Sequence, residues 1–177
     1  MWKSWQFWGV MLAIAGLTAV LAFGFTRNPK EVQSPLVNRP APNFTVQEMN
    51  TGASLTLSEL RGTPVLLNFW ASWCAACRDE AVILESAHQR WGKDPSKFRV
   101  VGIAIQDTVE NARKFAKRFG KTYFLALDNP QGDIALNYGV YGVPESFFID
   151  AQGIIRYKKI GAVTRETVEE QVPALLR

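Results

Sequence analysis

The feature that most constrains this chain is a run of 21 residues, Trp5 to Phe25, that contains no charge. About 20 apolar residues in a helix are needed to span the hydrocarbon core of a bilayer. Trp2, Trp5 and Trp8 stand where an interfacial aromatic belt would lie. We read residues 5–25 as one N-terminal transmembrane anchor. A cleaved signal peptide is the alternative, with Val20-Leu21-Ala22 as a passable small-residue site. The run is longer than a usual signal-peptide core, however, and the Trp cluster suits a permanent anchor. Charge does not orient the segment, because Lys3 and the amino terminus balance Arg27 and Lys30.

Once the anchor is set apart, the rest of the composition changes meaning. Residues 1–25 hold 18 members of the apolar and aromatic class, which leaves the remainder close to an ordinary globular domain. Of the 20 basic residues, Lys3, Arg27 and Lys30 precede the first acid, so the balance from Glu31 onward is 17 basic against 16 acidic. A nearly neutral body without a basic stripe argues against a nucleic-acid partner. Two Cys and one His fall short of a closed zinc site and of a disulfide scaffold. No metal is expected. Residues 26–42 contain Pro29, Pro35, Pro40 and Pro42 with few apolar side chains, and read as an extended tether. Residues 43–177 are left for one domain.

Within that domain, apolar runs alternate with helical patterns. Residues 43–46 and 54–56 form short strands around the turn signal Asn50-Thr51-Gly52. Residues 65–71 and 98–105 are short, almost wholly apolar runs, as expected of strands buried on both faces. Cys77, Ala81, Leu84, Ala87 and Trp91 recur at helical spacing over residues 75–91, and Ala112, Phe115, Ala116 and Phe119 do so over 109–119, ahead of Gly120. Residues 123–127 are strand-like and 132–138 a short helix; 145–150 and 154–160 make a hairpin about Ala151-Gln152-Gly153, and Thr164 opens a terminal helix. Strands separated by helices and closed by an antiparallel hairpin imply an α/β fold, a mixed sheet with helices on both faces.

Both cysteines fall in Trp73-Cys74-Ala75-Ala76-Cys77, directly after the first buried strand and at the mouth of a helix. The free N–H groups and positive dipole end of a first helical turn stabilise a thiolate on Cys74. Two intervening residues bring Cys77 one turn away, where a small reducible disulfide can close. A thiolate of lowered pKa is both a nucleophile and a good leaving group in disulfide exchange. Two inert thiols or a static disulfide are the alternative. Cys-x-x-Cys alone is a weak signal; set between strand and helix it points to redox chemistry.

The segment Leu67-Asn68-Phe69-Trp70-Ala71-Ser72-Trp73-Cys74-Ala75-Ala76-Cys77 resembles the active-site segment of the thioredoxin superfamily. Gly139-Val140-Tyr141-Gly142-Val143-Pro144-Glu145-Ser146-Phe147-Phe148-Ile149-Asp150 resembles that superfamily's cis-proline segment. With the anchor, the hairpin around Asn50 and the Gly153–Tyr157 strand, the likeness is greatest to the CcmG/DsbE type (TlpA/ResA-like), membrane-tethered thiol:disulfide interchange proteins of cytochrome c maturation. It implies a thioredoxin-like mixed sheet with an added N-terminal β-hairpin and a central insertion. It also implies no cofactor beyond a redox-active Cys74–Cys77 disulfide. Two departures stand out. Asn68 replaces the buried Asp of thioredoxin itself, which suits the cytochrome-maturation subgroup. The dipeptide Ala75-Ala76 lacks the Pro common in related proteins, and such dipeptides tune redox poise.

The resemblance assigns further roles. Glu80, three residues past Cys77, stands where the subgroup has an acid near the disulfide; there it would raise the thiol pKa and accept a proton during exchange. The other reading is a solvated first-turn Glu beside Arg78 and Asp79. Pro144 would be the cis proline that frees the backbone of Val143 to pair with an incoming peptide. Glu145 either helps line that groove or is a plain surface residue. Trp73 would cap the disulfide and contact partners, while Trp70 belongs to the core. His88 has no nearby ligands, and Arg113, Lys114, Lys117 and Arg118 read as the solvated face of their helix.

The expected activity is thiol:disulfide oxidoreduction outside the cytoplasmic membrane. By resemblance, the substrate is the haem-binding Cys pair of apocytochrome c, or a thiol protein of the maturation complex, reduced before haem attachment. A DsbD/CcdA-like membrane thiol reductant would restore the dithiol. The domain would then be periplasmic on an inner-membrane anchor. A general extracytoplasmic oxidant or reductase is the nearest alternative. A tethered binding or chaperone module with a structural disulfide is a more distant one. A peroxiredoxin-type peroxidase would carry Thr three residues before the reactive Cys, where Ala71 stands.

Overall fold

The apolar run that follows the Pro-rich stretch becomes the centre of a five-stranded sheet. In the computed structural model, which describes residues 4–26 and 34–177, β3 (Val65–Trp70) has every residue buried. It pairs in parallel with β4 (Arg99–Ala104) on one side and antiparallel with β6 (Glu145–Ile149) on the other. Strand β5 (Phe124–Leu127) extends the sheet beyond β4, and β7 (Ile155–Ile160) closes it beyond β6 in the order β5-β4-β3-β6-β7. A small antiparallel ladder of β1 (Thr45–Gln47) and β2 (Ser54–Thr56) stands apart. Glu48 holds its turn, accepting from the backbone N–H groups of Asn50 and Thr51. A bridge from Glu48 to Ala126 lays this ladder along the outer edge of β5, which would otherwise be open to pairing with another chain.

Side-chain alternation sorts the core into two layers. Leu66, Trp70 and Phe148 face α2 (Ala76–Trp91), α3 (Val109–Arg118) and α5 (Arg165–Leu175). Leu67, Phe69 and Phe147 face the short α4 (Asp133–Asn137), Tyr138, and the chain that precedes β3. Caps fix the helix starts: Thr108 accepts from the Asn111 N–H and Thr164 from the Thr167 N–H. Gly120, at φ +66°, lets the chain leave α3 in a conformation other residues avoid.

Residues 4–26 form a separate unit, helix α1 (Ser4–Thr26). Its side chains are described at Trp5 and from Phe7 to Leu21, all of them exposed. Among the described residues no helix is long and apolar enough to cross a membrane. The reading of residues 5–25 as an anchor is carried by the uncharged run in the sequence alone. Of the tether expected over residues 26–42, residues 27–33 lie outside the described residues.

The other end of that tether is corrected by the structure: Ser34 onward belongs to the folded domain. Asn38 donates to the Ile155 carbonyl at 2.7 Å, Ile155 to the Arg39 carbonyl at 3.0 Å, and Ala41 to that of Gly153 at 2.9 Å. Tyr138 anchors the segment by donating its hydroxyl to the Pro42 carbonyl at 2.8 Å. The Pro-rich segment needs no core of its own, because the free edge of β7 offers backbone partners and Leu36, Val37 and Ala41 join a core already present.

Candidate active site

The loop from β3 into α2 carries the chemistry. Cys74 and Cys77 are joined as a disulfide, and Cys74 retains 5% exposure while Cys77 is fully buried. That asymmetry fits an outer sulfur that meets substrate and an inner one that resolves. The Cys77 N–H points at Cys74 Sγ at 3.1 Å, so a backbone donor of the opening helical turn already faces the sulfur on which a thiolate would develop. Asp107, just after β4, fixes the approach to this loop. Its carboxylate accepts from the Ser72 N–H at 2.6 Å and the Ser72 hydroxyl at 2.9 Å. Trp73 stands 57% exposed beside the disulfide, its indole N–H donating to the Gln106 carbonyl at 3.0 Å.

Opposite the sulfur lies the loop 139–144. The Val143–Pro144 peptide is cis, and the Val143 carbonyl oxygen is 3.5 Å from Cys74 Sγ. Val143 precedes the first ladder residue of β6, so its backbone edge lies outside the sheet and next to the reactive atom. The structure thus brings Trp73, Cys74, Cys77, Val143 and Pro144 together.

Glu80 is 1% exposed and sits under the disulfide helix, not on its solvated side. Asn68 donates to Glu80 Oε1 at 2.8 Å and to the Ser146 hydroxyl at 3.0 Å, and the Val163 N–H donates to Glu80 Oε2 at 3.0 Å. Burial pushes this carboxyl up to about 7, against the pull of those donors and of Lys121. The Asn68 amide on β3 thus faces a buried carboxyl on α2, that of Glu80. Lys121, 7% exposed, lies with Nζ 3.5 Å from the Trp70 ring centroid. Burial pushes it down to about 7, with the charge of Glu80 opposing. Among the described residues neither group has a counter-ion in contact; each tempers the other at longer range.

Glu145 is neither on the surface nor in the groove. It is 2% exposed and, by the alternation of β6, shares the sheet face of Phe147, away from α2. Its Oε2 is 2.7 Å from Lys158 Nζ, and its Oε1 accepts from the Tyr141 N–H at 3.2 Å. His88 lies far along α2, with its ring against Tyr123. Arg113 departs from the solvated-face reading by donating to the Met49 carbonyl. Sequence reasoning missed Asp107, Lys121 and Lys158. Only Asp107 had a local signal, as an acid at the end of a buried strand; the other two lysines look like ordinary surface residues. A cleft of about 860 Å³ opens between the β1–β2 ladder, α3 and α4, away from both cysteines. Exchange uses an accessible sulfur and a backbone edge and does not need an enclosing pocket. Among the described residues no group of three or more His, Cys, Asp and Glu is placed to hold a metal.

Residues 37–158 match the model of the AhpC/TSA family, a span that runs through both Cys74 and Pro144. The thiol:disulfide interchange protein DsbE of Allochromatium vinosum is 35% identical over 169 residues, covering 95% of this chain and 89% of the relative. The chain belongs to the DsbE-type thiol:disulfide interchange proteins of the AhpC/TSA family. The Escherichia coli DsbE is 34% identical over 173 residues, 94% of this chain and 89% of its own. A thioredoxin-family thiol:disulfide interchange protein from Chlorobium tepidum superposes with a TM-score of 0.69 at 26% identity, over 82% of this chain and 100% of that one. A secreted Mycobacterium tuberculosis disulfide oxidoreductase, described as homologous to the E. coli DsbE, gives 0.64 at 27% over 75% and 96%. The fold is thioredoxin-like, and the protein is a thiol:disulfide oxidoreductase whose redox group is the Cys74–Cys77 disulfide.

Proposed function

We propose that this protein reduces the disulfide of apocytochrome c, or of a thiol protein that serves it, before haem attachment. It does so from a periplasmic domain held to the inner membrane by residues 5–25. The observation that carries the exchange step is the approach of the Val143 carbonyl to Cys74 Sγ beside cis-Pro144, over a fully buried Cys77. In the dithiol form, the Cys74 thiolate attacks one sulfur of the substrate disulfide. A Cys74–substrate bond forms, the substrate S–S bond breaks, and the departing thiolate takes up a proton. Cys77 then loses its proton and attacks Cys74 Sγ. This closes the Cys74–Cys77 bond and releases the second substrate thiol, so two electrons have passed to the substrate. Glu80, buried in the same helix and with its affinity for a proton near neutrality, accepts the Cys77 proton in that step. Pro144 and Val143 hold the substrate strand, and Trp73 covers the reacting sulfurs. A DsbD/CcdA-like membrane thiol reductant returns the two electrons.

Support for the exchange chemistry comes from the relatives named thiol:disulfide interchange proteins; the reductive direction and the cytochrome substrate rest on the resemblance of the two active-site segments to the cytochrome-maturation subgroup. Support for the anchor is the uncharged run in the sequence; a periplasmic domain would then put its amino terminus on the cytoplasmic side. The deciding experiment is a Cys77→Ser chain expressed in cells that make c-type cytochromes. It should accumulate a mixed disulfide through Cys74 with an apocytochrome or a maturation thiol protein. A trapped species free of any such protein overturns the substrate assignment. Equilibration of the purified disulfide with glutathione tests direction, since a strongly oxidising pair contradicts a reductant.

A further inference from the structure

The most fully enclosed ion pair in the described residues lies behind the substrate loop, on the sheet face away from Glu80. The side chains of Lys158 and Glu145 are 6% and 3% exposed, with Nζ 2.7 Å from Oε2. Lys158 lies opposite Phe147 in the β6–β7 ladder, two pairs along from Glu145 and so on the same face, and its Nζ stands 4.9 Å from the Phe147 ring. Two charges in a dry site are expensive to hold, and replacing such a pair by apolar residues often costs a fold nothing. Its hydrogen bonds here all lead to one place. Lys158 donates to the Gly139 carbonyl at 2.9 Å, and Glu145 accepts from the Tyr141 N–H. The pair therefore grips both ends of the three residues that open the loop 139–144. The far side of that loop sets Val143 against Cys74.

We propose that Lys158 is a positioning residue for disulfide exchange with extended polypeptides: acting through Glu145 and the Gly139 carbonyl, it holds the Val143 backbone edge in the register that a substrate strand beside Cys74 must meet. Glu145 then serves the loop from behind and does not act on the sulfurs. The inference rests on the exchange role of Cys74 and extends it to the binding of chain-like substrates. A small disulfide needs only the sulfur and its helix mouth. A peptide disulfide also needs the loop edge, whose backbone must be in place before pairing.

The test compares two disulfides, a small aromatic one and a peptide closed by a Cys-x-x-Cys bond, in the full chain and two variants. Lys158→Met leaves Glu145 buried alone. The paired E145M/K158M removes both charges at similar volume and keeps the interior satisfied, so at least one variant reports on the loop in a folded domain. The expected result is at least a tenfold rise in KM for the peptide with kcat within about threefold, and a much smaller change with the aromatic disulfide. An unchanged peptide KM in the folded paired variant overturns the proposal. So does a parallel loss with both substrates, because the loop edge is then not what failed. Amide hydrogen exchange at Tyr141 in the unaltered protein adds a measurement free of mutation: protection supports the tie to Glu145, and exchange at the rate of an open loop overturns it. Failure of the unaltered chain with both disulfides would strike at the exchange activity itself.

Discussion

Glu80 and Glu145 are the same residue type, both almost without exposure, within one site and on opposite faces of one sheet. Among the described residues Glu80 receives only hydrogen bonds, from Asn68 and Val163, and no cation touches it. Its charge is costly, so its proton is held up to about pH 7. Glu145 has Lys158 in contact and is bound into an ion pair that ends on backbone groups. One carboxyl is placed so that gaining and losing a proton is cheap near neutrality; the other is placed so that its charge does structural work. A buried acid becomes reactive or architectural according to whether a counter-ion reaches it, and burial alone does not say which.

The largest effect expected from this contrast is on stability. Lys158→Met should lower the unfolding free energy of the domain by about 3–5 kcal/mol, read from denaturant midpoints, because it leaves a buried charge without its mate. The paired E145M/K158M should recover most of that loss. If the single and paired changes cost the same, the ion pair is not the unit described here.

The second test is the pH dependence of stability, and it separates the two acids. Burial favours the neutral Glu80 carboxyl, so the folded domain keeps a proton that the unfolded chain sheds above its ordinary 4.5. Stability from this group is full below that value and falls as pH rises to about 7, by at most about 1.4 kcal/mol per unit. Lys121 gives the opposite limb. The folded domain sheds its proton near 7 while the unfolded chain keeps it to 10.5, so stability recovers over that range. Unfolding of the oxidised domain from pH 4.5 to 10 should therefore pass through a minimum near 7. Glu80→Gln should flatten the acid limb and Lys121→Met the alkaline one. A profile that Glu80→Gln leaves unaltered would remove the basis for a proton-holding carboxyl.

A smaller change is expected at Lys121 seen from Glu80. With the cation gone, Lys121→Met should move the Glu80 titration upward, visible in the carboxyl resonance or in the pH profile of exchange. The smallest stability effect belongs to Trp73. Its ring is more than half exposed and makes one hydrogen bond, to Gln106, so Trp73→Ala should shift stability by no more than about 1 kcal/mol. Its loss should be felt in substrate turnover instead.

Much of this arrangement was legible from local pattern. A six-residue run that is apolar at every position but Asn68 has one stable home in an α/β domain, which places β3 at the sheet centre. Cysteines at the end of such a run and the start of an amphipathic helix had to meet at the helix mouth. Glu80 was assigned near the disulfide by resemblance, and its burial makes it more than a first-turn acid. Glu145 was misjudged as a surface or groove residue because period-2 alternation gives a face without saying what covers it. Residues 34–42 are misread from sequence because three prolines and few apolar side chains describe a segment that cannot fold alone. They do not describe one that can complete an existing edge.

The sequence by itself determined the strand-and-helix order, the redox pair and its place at a helix start, since these follow from spacing, propensity and the chemistry of a thiolate. Only the tertiary structure decided how each buried charge behaves. Lys121 comes from the chain after α3, Lys158 from β7 and Asp107 from the end of β4, each reaching the site across the sheet. Electrostatics and desolvation depend on distances in space, and a linear order of residues does not carry them.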